Sequence, residues 1–245
     1  MKVGMQLYSV KNILEKDFDA GMQLAARAGY DGLEVYHHYD GIRAIDYRKA
    51  INAAGAVCCG SHNNLTRLKN NLDEVMEYNY ALGNDTIISH WLDLDERNSL
   101  DKMRVFTDYL NEMGVILRKN GFKLLYHNHD FEYGESVDGR RIMDFILEET
   151  DPLLVGIQFH AFQVEQFGID AVEYARSLGQ RLKNLHVSFH DMKGNLRLET
   201  CEQLIKVGIE AGVEWTVFEH VYPADITVEC VIDDARRLKR MACAI

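Results

Sequence analysis

Proline is scarce: the 245-residue chain carries two, and no Ser-, Gly- or Pro-rich run marks a linker or a disordered tail. No apolar run approaches the ~18 residues of a membrane span. Basic charge is outnumbered. Twenty-seven Lys and Arg against 38 Asp and Glu leave a net charge of −11, which repels phosphate backbones and argues against general nucleic-acid binding. The five cysteines (Cys58, Cys59, Cys201, Cys230, Cys243) are odd in number and show no Cys-x-x-Cys spacing. They read as reduced thiols of a cytoplasmic protein, neither a disulfide framework nor a zinc knuckle. A strand-like segment, Lys2 to Val10, directly follows Met1, so no signal peptide is expected. The first strand is not followed by Gly-x-Gly-x-x-Gly, which removes the main support for a dinucleotide fold.

What is present is regular. At 47% apolar residues the chain can bury one sizeable core, so residues 1–245 are expected to form a single domain. Amphipathic stretches end at Gly29, Gly55, Gly83, Gly121, Gly179 and Gly212, and a glycine just past a helix closes its last turn. Short apolar runs follow: Gly32 to Tyr36, Ala56 to Cys59, Thr86 to Ser89, Lys123 to Tyr126, Leu182 to Leu185 and Trp215 to Phe218. Leu154 to Ile157 follows Asp151-Pro152, where proline supplies the stop, and Val3 to Leu7 opens the chain. Between them lies helical periodicity, clearest where Leu100, Met103, Phe106, Leu110, Met113 and Leu117 step by three or four. Eight strand–helix units of about 30 residues predict an α/β fold, a (β/α)8 TIM barrel, over a doubly wound open sheet.

In such a barrel the active site lies where strands end. The ten histidines fall there: His37 and His38 after strand two, His62 after three, His90 at the end of four, and His127 and His129 at five. His160 follows six, His186 and His190 belong to seven, and His220 to eight. Histidines and carboxylates converging at one mouth are the raw material of a divalent metal site. Glu219 ends an apolar run, and an inward carboxylate there needs a cation to offset its desolvation.

Tyr126-His-Asn-His-Asp-Phe-Glu-Tyr133 resembles a signature of the sugar phosphate isomerase/epimerase branch of the xylose isomerase-like TIM-barrel superfamily. Gly4-Met-Gln-Leu-Tyr-Ser-Val10, Ala28-Gly-Tyr-Asp-Gly-Leu-Glu34, Gly60-Ser-His62, Leu147-Glu-Glu-Thr-Asp-Pro152 and Ala211-Gly-Val-Glu-Trp-Thr-Val-Phe-Glu219 are similar to the same branch, in order along the chain. The resemblance implies one divalent transition metal (Mn, Zn, Fe or Co) held by His127, His160, His186 and Glu219. Strand six departs from the branch: where Glu-Leu-Asp-Thr is usual, this chain reads Gln158-Phe-His-Ala161, so His160 stands at the aspartate position. The strand-seven motif is altered to His186-Val-Ser-Phe-His-Asp191, and the loop after it shortens to Met192-Lys-Gly-Asn-Leu-Arg197. Three imidazoles and one carboxylate favour softer metals over Mg.

The function expected is that of a sugar or keto-sugar isomerase or epimerase, or a lyase or hydratase, acting through an enediolate. Glu219, His127 and Glu132 are the catalytic candidates. His62, His90, Trp91, His129, Tyr8 and Asn128 are the substrate-binding candidates, with Gln6 and the aromatics Tyr36, Phe131 and Phe162 nearby in sequence pattern. Lys193 and Arg197 are candidate phosphate-facing cations, although the acidic balance favours an unphosphorylated sugar. The expected partner is a small-molecule sugar, with no nucleic acid and no membrane; a homodimer is the oligomer considered. The alternatives are a metal-free relative that binds a sugar or partner, and a metal-dependent phosphoesterase related to apurinic endonucleases.

Overall fold

A computed structural model describes residues 1–36, 41–191, 193–220 and 227–244. Eight parallel strands form the barrel: β1 (Lys2–Gln6), β2 (Gly32–Val35), β3 (Val57–Asn63), β4 (Thr86–Ser89), β5 (Lys123–His127), β6 (Val155–His160), β7 (Leu182–Val187) and β8 (Trp215–Phe218). Each pairs with its neighbours in sequence, and β1 pairs with β8, so the sheet closes. Closure leaves no sheet edge, and the helices on the outside cover the apolar outer face.

The main helices are α1 (Phe18–Ala28), α2 (Ala44–Ala53), α3 (Leu72–Leu82), α4 (Leu100–Lys119), α5 (Ile142–Glu149), α6 (Ala171–Leu178), α7 (Leu198–Glu210) and α8 (Val228–Ala244). Asp17 caps α1 by accepting from the Ala20 amide, and Gly29 ends it in the left-handed region at φ 75°. The periodic residues Met103, Phe106, Leu110, Met113 and Leu117 of α4 are all buried, packed in one continuous core between helices and strands. Among the described residues no helix is long and apolar enough to cross a membrane.

The barrel interior is separate from that core. Cys59, Ile88, Leu125 and Val217 are buried, and they crowd against the interior glycines. A Cβ on Gly4 would sit 3.0 Å from Cys59 Sγ, and one on Gly60 would sit 2.8 Å from Ile88 and 2.9 Å from a Glu34 oxygen. Small residues thus make room for a larger side chain inside the same ring.

Strands three, six and seven run further than the apolar runs predict. β3 reaches Asn63, β6 reaches His160 and β7 reaches Val187, so His62, His160 and His186 lie in strands. Polar residues can continue a strand here because they find partners across the barrel. Two register shifts occur, between Leu33 and Glu34 against β3 and between Ile157 and Gln158 against β7. Such irregularities re-aim a side chain next to a site.

Candidate metal centre

Two polar layers fill the upper end of the barrel. The lower one is built on Glu34, fully buried in β2. Its Oε1 accepts from Gln6 Nε2 at 2.7 Å and His186 Nε2 at 2.8 Å, and lies 2.8 Å from His62 Nε2. Its Oε2 accepts from Gln158 Nε2 at 2.6 Å. Gln158 turns its carbonyl oxygen to His127 Nδ1 at 2.7 Å and His62 Nε2 at 2.9 Å. The two residues at the register shifts are therefore the two hubs of this layer. Burial alone would raise the Glu34 carboxyl, but the charges of His186 and His62 and their hydrogen bonds hold it well below the usual carboxylate range.

Above this floor, His127, His160, His186 and Glu219 bring one ligand atom each to within 4.8 Å of one another. They come from β5, β6, β7 and the residue after β8, the four strand ends expected. Glu219 Oε2 lies 2.8 Å from His186 Nδ1 and 3.9 Å from His160 Nδ1. Burial raises the Glu219 carboxyl, yet the His186 hydrogen bond and the His160 and His186 charges bring it down to about 2. Burial lowers His186, but Glu34 and Glu219 on its two sides raise it to about 9. Burial and the neighbouring imidazoles push His127 well down. Burial takes His160 to about 4, with Glu219 opposing.

These residues fit a divalent metal. Among the described residues, both ring nitrogens of His160 are buried without a hydrogen-bond partner, an arrangement that costs free energy unless a ligand completes it. His127 gives its Nδ1 to Gln158, so Nε2 is left for a metal. His186 gives Nε2–H to Glu34, which leaves Nδ1 on the Glu219 side. Histidine ligands whose second nitrogen is held by a carboxylate or amide are the usual pattern at metal sites.

Over the cluster opens a cavity of about 590 Å³, lined by His62, His90, Trp91, His127, His129 and Glu219 among others. Tyr8 and Tyr36 stand edge to face on its wall, and Gln163 and His220 also line it. His90 stacks on His62 with centroids 5.2 Å apart. Trp91 is 41% exposed, meets His129 and Phe131 edge-on, and donates from Nε1 to Asp93. Burial lowers His129 to about 3, so it is a neutral ring. Gln6 touches the cavity while its amide serves Glu34.

Other sequence candidates are not brought to this cavity. Glu132 is fully buried beneath the loop after β5, where Oε1 accepts from Tyr126 Oη at 2.6 Å and Oε2 from the His129 amide at 2.8 Å. Asn128 is spent on the backbone of His160, accepting from its amide and donating to its carbonyl. Lys193, Arg197 and Phe162 line a different cavity of about 460 Å³, and Arg197 is paired there with Glu165. Phe131 packs under the Arg97 guanidinium. His37 and His38 lie outside the described residues. Glu34 and Gln158 were missed as site residues. The signal for Glu34 was the one that marked Glu219, a carboxylate inside an apolar run.

No family model matches the chain. Over 139 residues, 55% of this chain, it is 27% identical to an inosose dehydratase of Clostridium perfringens, and the match spans 44% of that relative's length. A sugar phosphate isomerase/epimerase structure from Parabacteroides distasonis superposes with a TM-score of 0.79 at 24% identity, covering 98% of this chain and 95% of that one. The IOLI protein with a bound zinc atom superposes with a TM-score of 0.73 at 14% identity, covering 100% and 99%. The chain thus shares the closed (β/α)8 barrel fold of these structures, with a His/Glu cluster at its strand ends.

Proposed function

We propose that this chain is a metal-dependent enzyme that moves a proton at the carbon beside the carbonyl of a sugar or keto-sugar, as an isomerase or epimerase. The observation that carries the reading is the four-residue donor set with the unpartnered His160 ring beneath a cavity of polar and aromatic side chains. A divalent ion held there supplies Lewis acidity toward a carbonyl and its adjacent hydroxyl. Glu219 takes the proton. A carboxylate held near 2 is a weak base, so it works only on a carbon acid already strengthened by nearby positive charge. The enediolate of the substrate then takes a proton back, at the neighbouring carbon in an isomerase or on the opposite face of the same carbon in an epimerase. In this reading His62, His90 and His129, which line the cavity, hydrogen-bond hydroxyls, and Trp91 and Tyr8 meet the sugar's CH groups. Lys193 and Arg197 lie off this cavity, which supports an unphosphorylated substrate.

One observation favours a second reading, dehydration of a polyhydroxy ketone. Inverting a stereocentre needs bases on both faces, and Glu132, the expected second carboxylate, is sealed below with both oxygens engaged. The other carboxylate at the cavity wall, Asp93, is engaged by Trp91. Loss of a hydroxyl one carbon further on needs one base and one acid, and a neutral histidine beside the substrate can relay that proton. The matched inosose dehydratase agrees with this.

The first measurement is elemental analysis of the purified protein beside a His160→Ala variant. About one equivalent less of a transition metal in the variant than in the wild type supports the site. No metal in either protein after dialysis against Mn, Zn and Co sinks the metal-dependent reading. The loaded protein is then incubated with keto-sugars and cyclic polyhydroxy ketones in deuterated water. Deuterium gained without loss of mass marks an isomerase or epimerase, and loss of one water marks a dehydratase.

A further inference from the structure

A second group of metal-ligating side chains lies where the end of β8 meets α8. His220, just after that strand, meets Cys230 and Asp234 of α8, and one ligand atom from each lies within 4.8 Å of the others. Cys230 and Asp234 are four residues apart on the helix, so they share one face. Cys230 Sγ stands 3.4 Å from Asp234 Oδ2, and His220 Nδ1 stands 3.7 Å from the same oxygen. A tetrahedral zinc ion has ligand–ligand edges of roughly 3.4–3.6 Å. The two edges that meet at Asp234 Oδ2 are therefore already close to coordination spacing.

Further features point to a ligand. The Tyr30 hydroxyl is buried without a hydrogen-bond partner among the described residues, and Asp234 and Cys230 act on it electrostatically. His190 is close enough to act electrostatically on both His220 and Asp234. The His220 ring is held edge-on against Phe218, 4.8 Å between centroids, with Nδ1 toward Asp234. Nothing in the proposed proton transfer uses Cys230, Asp234 or Tyr30.

We propose that His220, Cys230 and Asp234 form a second metal site, selective for zinc, distinct from the cluster at the barrel mouth. Thiolate, imidazole and carboxylate together suit zinc over magnesium or calcium. Binding replaces the proton that Cys230 shares with Asp234: the thiol releases one proton, and sulfur bonds the ion. Thiolate and carboxylate then neutralise its two positive charges. Three protein donors leave one position for water, beside the Tyr30 hydroxyl. The ion fastens the start of α8 to the end of β8, so it stabilises the folded chain by mass action.

Cobalt substitution tests this without any activity assay. The mouth cluster contains no sulfur, so a thiolate-to-cobalt charge-transfer band reports this site alone. The metal-stripped, reduced protein is titrated with cobalt(II). The band is expected in the wild type and in His160→Ala, and its loss is expected in Cys230→Ser, with cobalt bound at the mouth retained. Asp234→Asn is expected to weaken the cobalt that gives the band by at least tenfold. A wild-type protein with no such band, or a band that survives in Cys230→Ser, overturns the proposal. As a second readout, zinc is expected to raise the melting temperature of His160→Ala, and that rise is expected to vanish when Cys230→Ser is added. An unchanged rise overturns it equally.

Discussion

The two polar layers of the barrel differ in one respect. In the floor, the Glu34 carboxylate meets four side-chain donors, and Gln158 uses both ends of its amide. In the mouth, both nitrogens of His160 and Nδ1 of His129 are buried with no hydrogen-bond partner among the described residues. A satisfied buried network rigidifies, while an unsatisfied one is retained for what it will bind. On the proposed function, the floor positions and the mouth reacts. His186 joins them, with one nitrogen on Glu34 and the other on Glu219.

The largest effect expected from breaking this contrast is in the mouth. Glu219→Gln keeps the shape and removes the base, so turnover should fall by about 10²–10⁴-fold. Solvent deuterium exchange at the substrate carbon should vanish while the fold survives. A variant that exchanges at the wild-type rate removes Glu219 from its role. The next effect belongs to the floor. Glu34→Gln leaves the buried His186 imidazolium without one of its two carboxylates, which should cost about 3–5 kcal/mol by denaturant unfolding. Metal affinity should fall by about 10–100-fold, since the Glu34 hydrogen bond orients a ligand. If stability and affinity both hold, the floor is not the support of the site.

A smaller effect tests how tightly the floor is built. A Cβ on Gly60 would come within 2.9 Å of Glu34 Oε2 and 2.8 Å of Ile88. Gly60→Ala should therefore displace one of them and cost about 1–3 kcal/mol. Gly55, at φ 77° with nothing within 4 Å, is the comparison outside the barrel. There alanine costs only backbone strain and should leave metal affinity unchanged.

The eight units were legible because each rests on local chemistry: a glycine stop, a short apolar run and a helical period. The His and Glu cluster of the mouth was legible because strand ends in a barrel all meet at one place. The floor was not. Glu34 sits in a four-residue strand whose neighbours Leu33 and Val35 are fully buried on the core side. Which way Glu34 faces depends on the register shift against β3, and that shift depends on a partner strand more than twenty residues away. The placement of Glu132 and Asn128 was hidden for the same kind of reason. Both polar groups are claimed by contacts that form only once the β5 loop folds over Tyr126 and His160. His220, Cys230 and Asp234 lack metal-motif spacing because two of them sit on a helix and the third on a strand end.

Glu132 also supplies the smallest and sharpest test of the contrast, because it is a second fully buried carboxyl with the opposite response. Glu34 is held down by imidazolium charge. Glu132 meets the Tyr126 hydroxyl, the His129 amide and the more distant Arg97 charge, and these do not offset its burial, which pushes it up to about 7 from an ordinary 4.5. The folded protein thus keeps a proton between pH 4.5 and 7 that the unfolded chain has lost. Stability from this group is full below 4.5, declines as pH rises through that window, and is gone above 7. The slope cannot exceed about 1.4 kcal/mol per pH unit for one proton. Other groups titrate in the same range, so the informative quantity is the difference between wild type and Glu132→Gln. Relative to wild type, the variant should gain stability steadily from pH 4.5 to 7 and then level off, as read by unfolding midpoints at each pH. A difference that is flat across the window means that Glu132 is ionised throughout, as Glu34 is, and the two carboxyls then obey one rule.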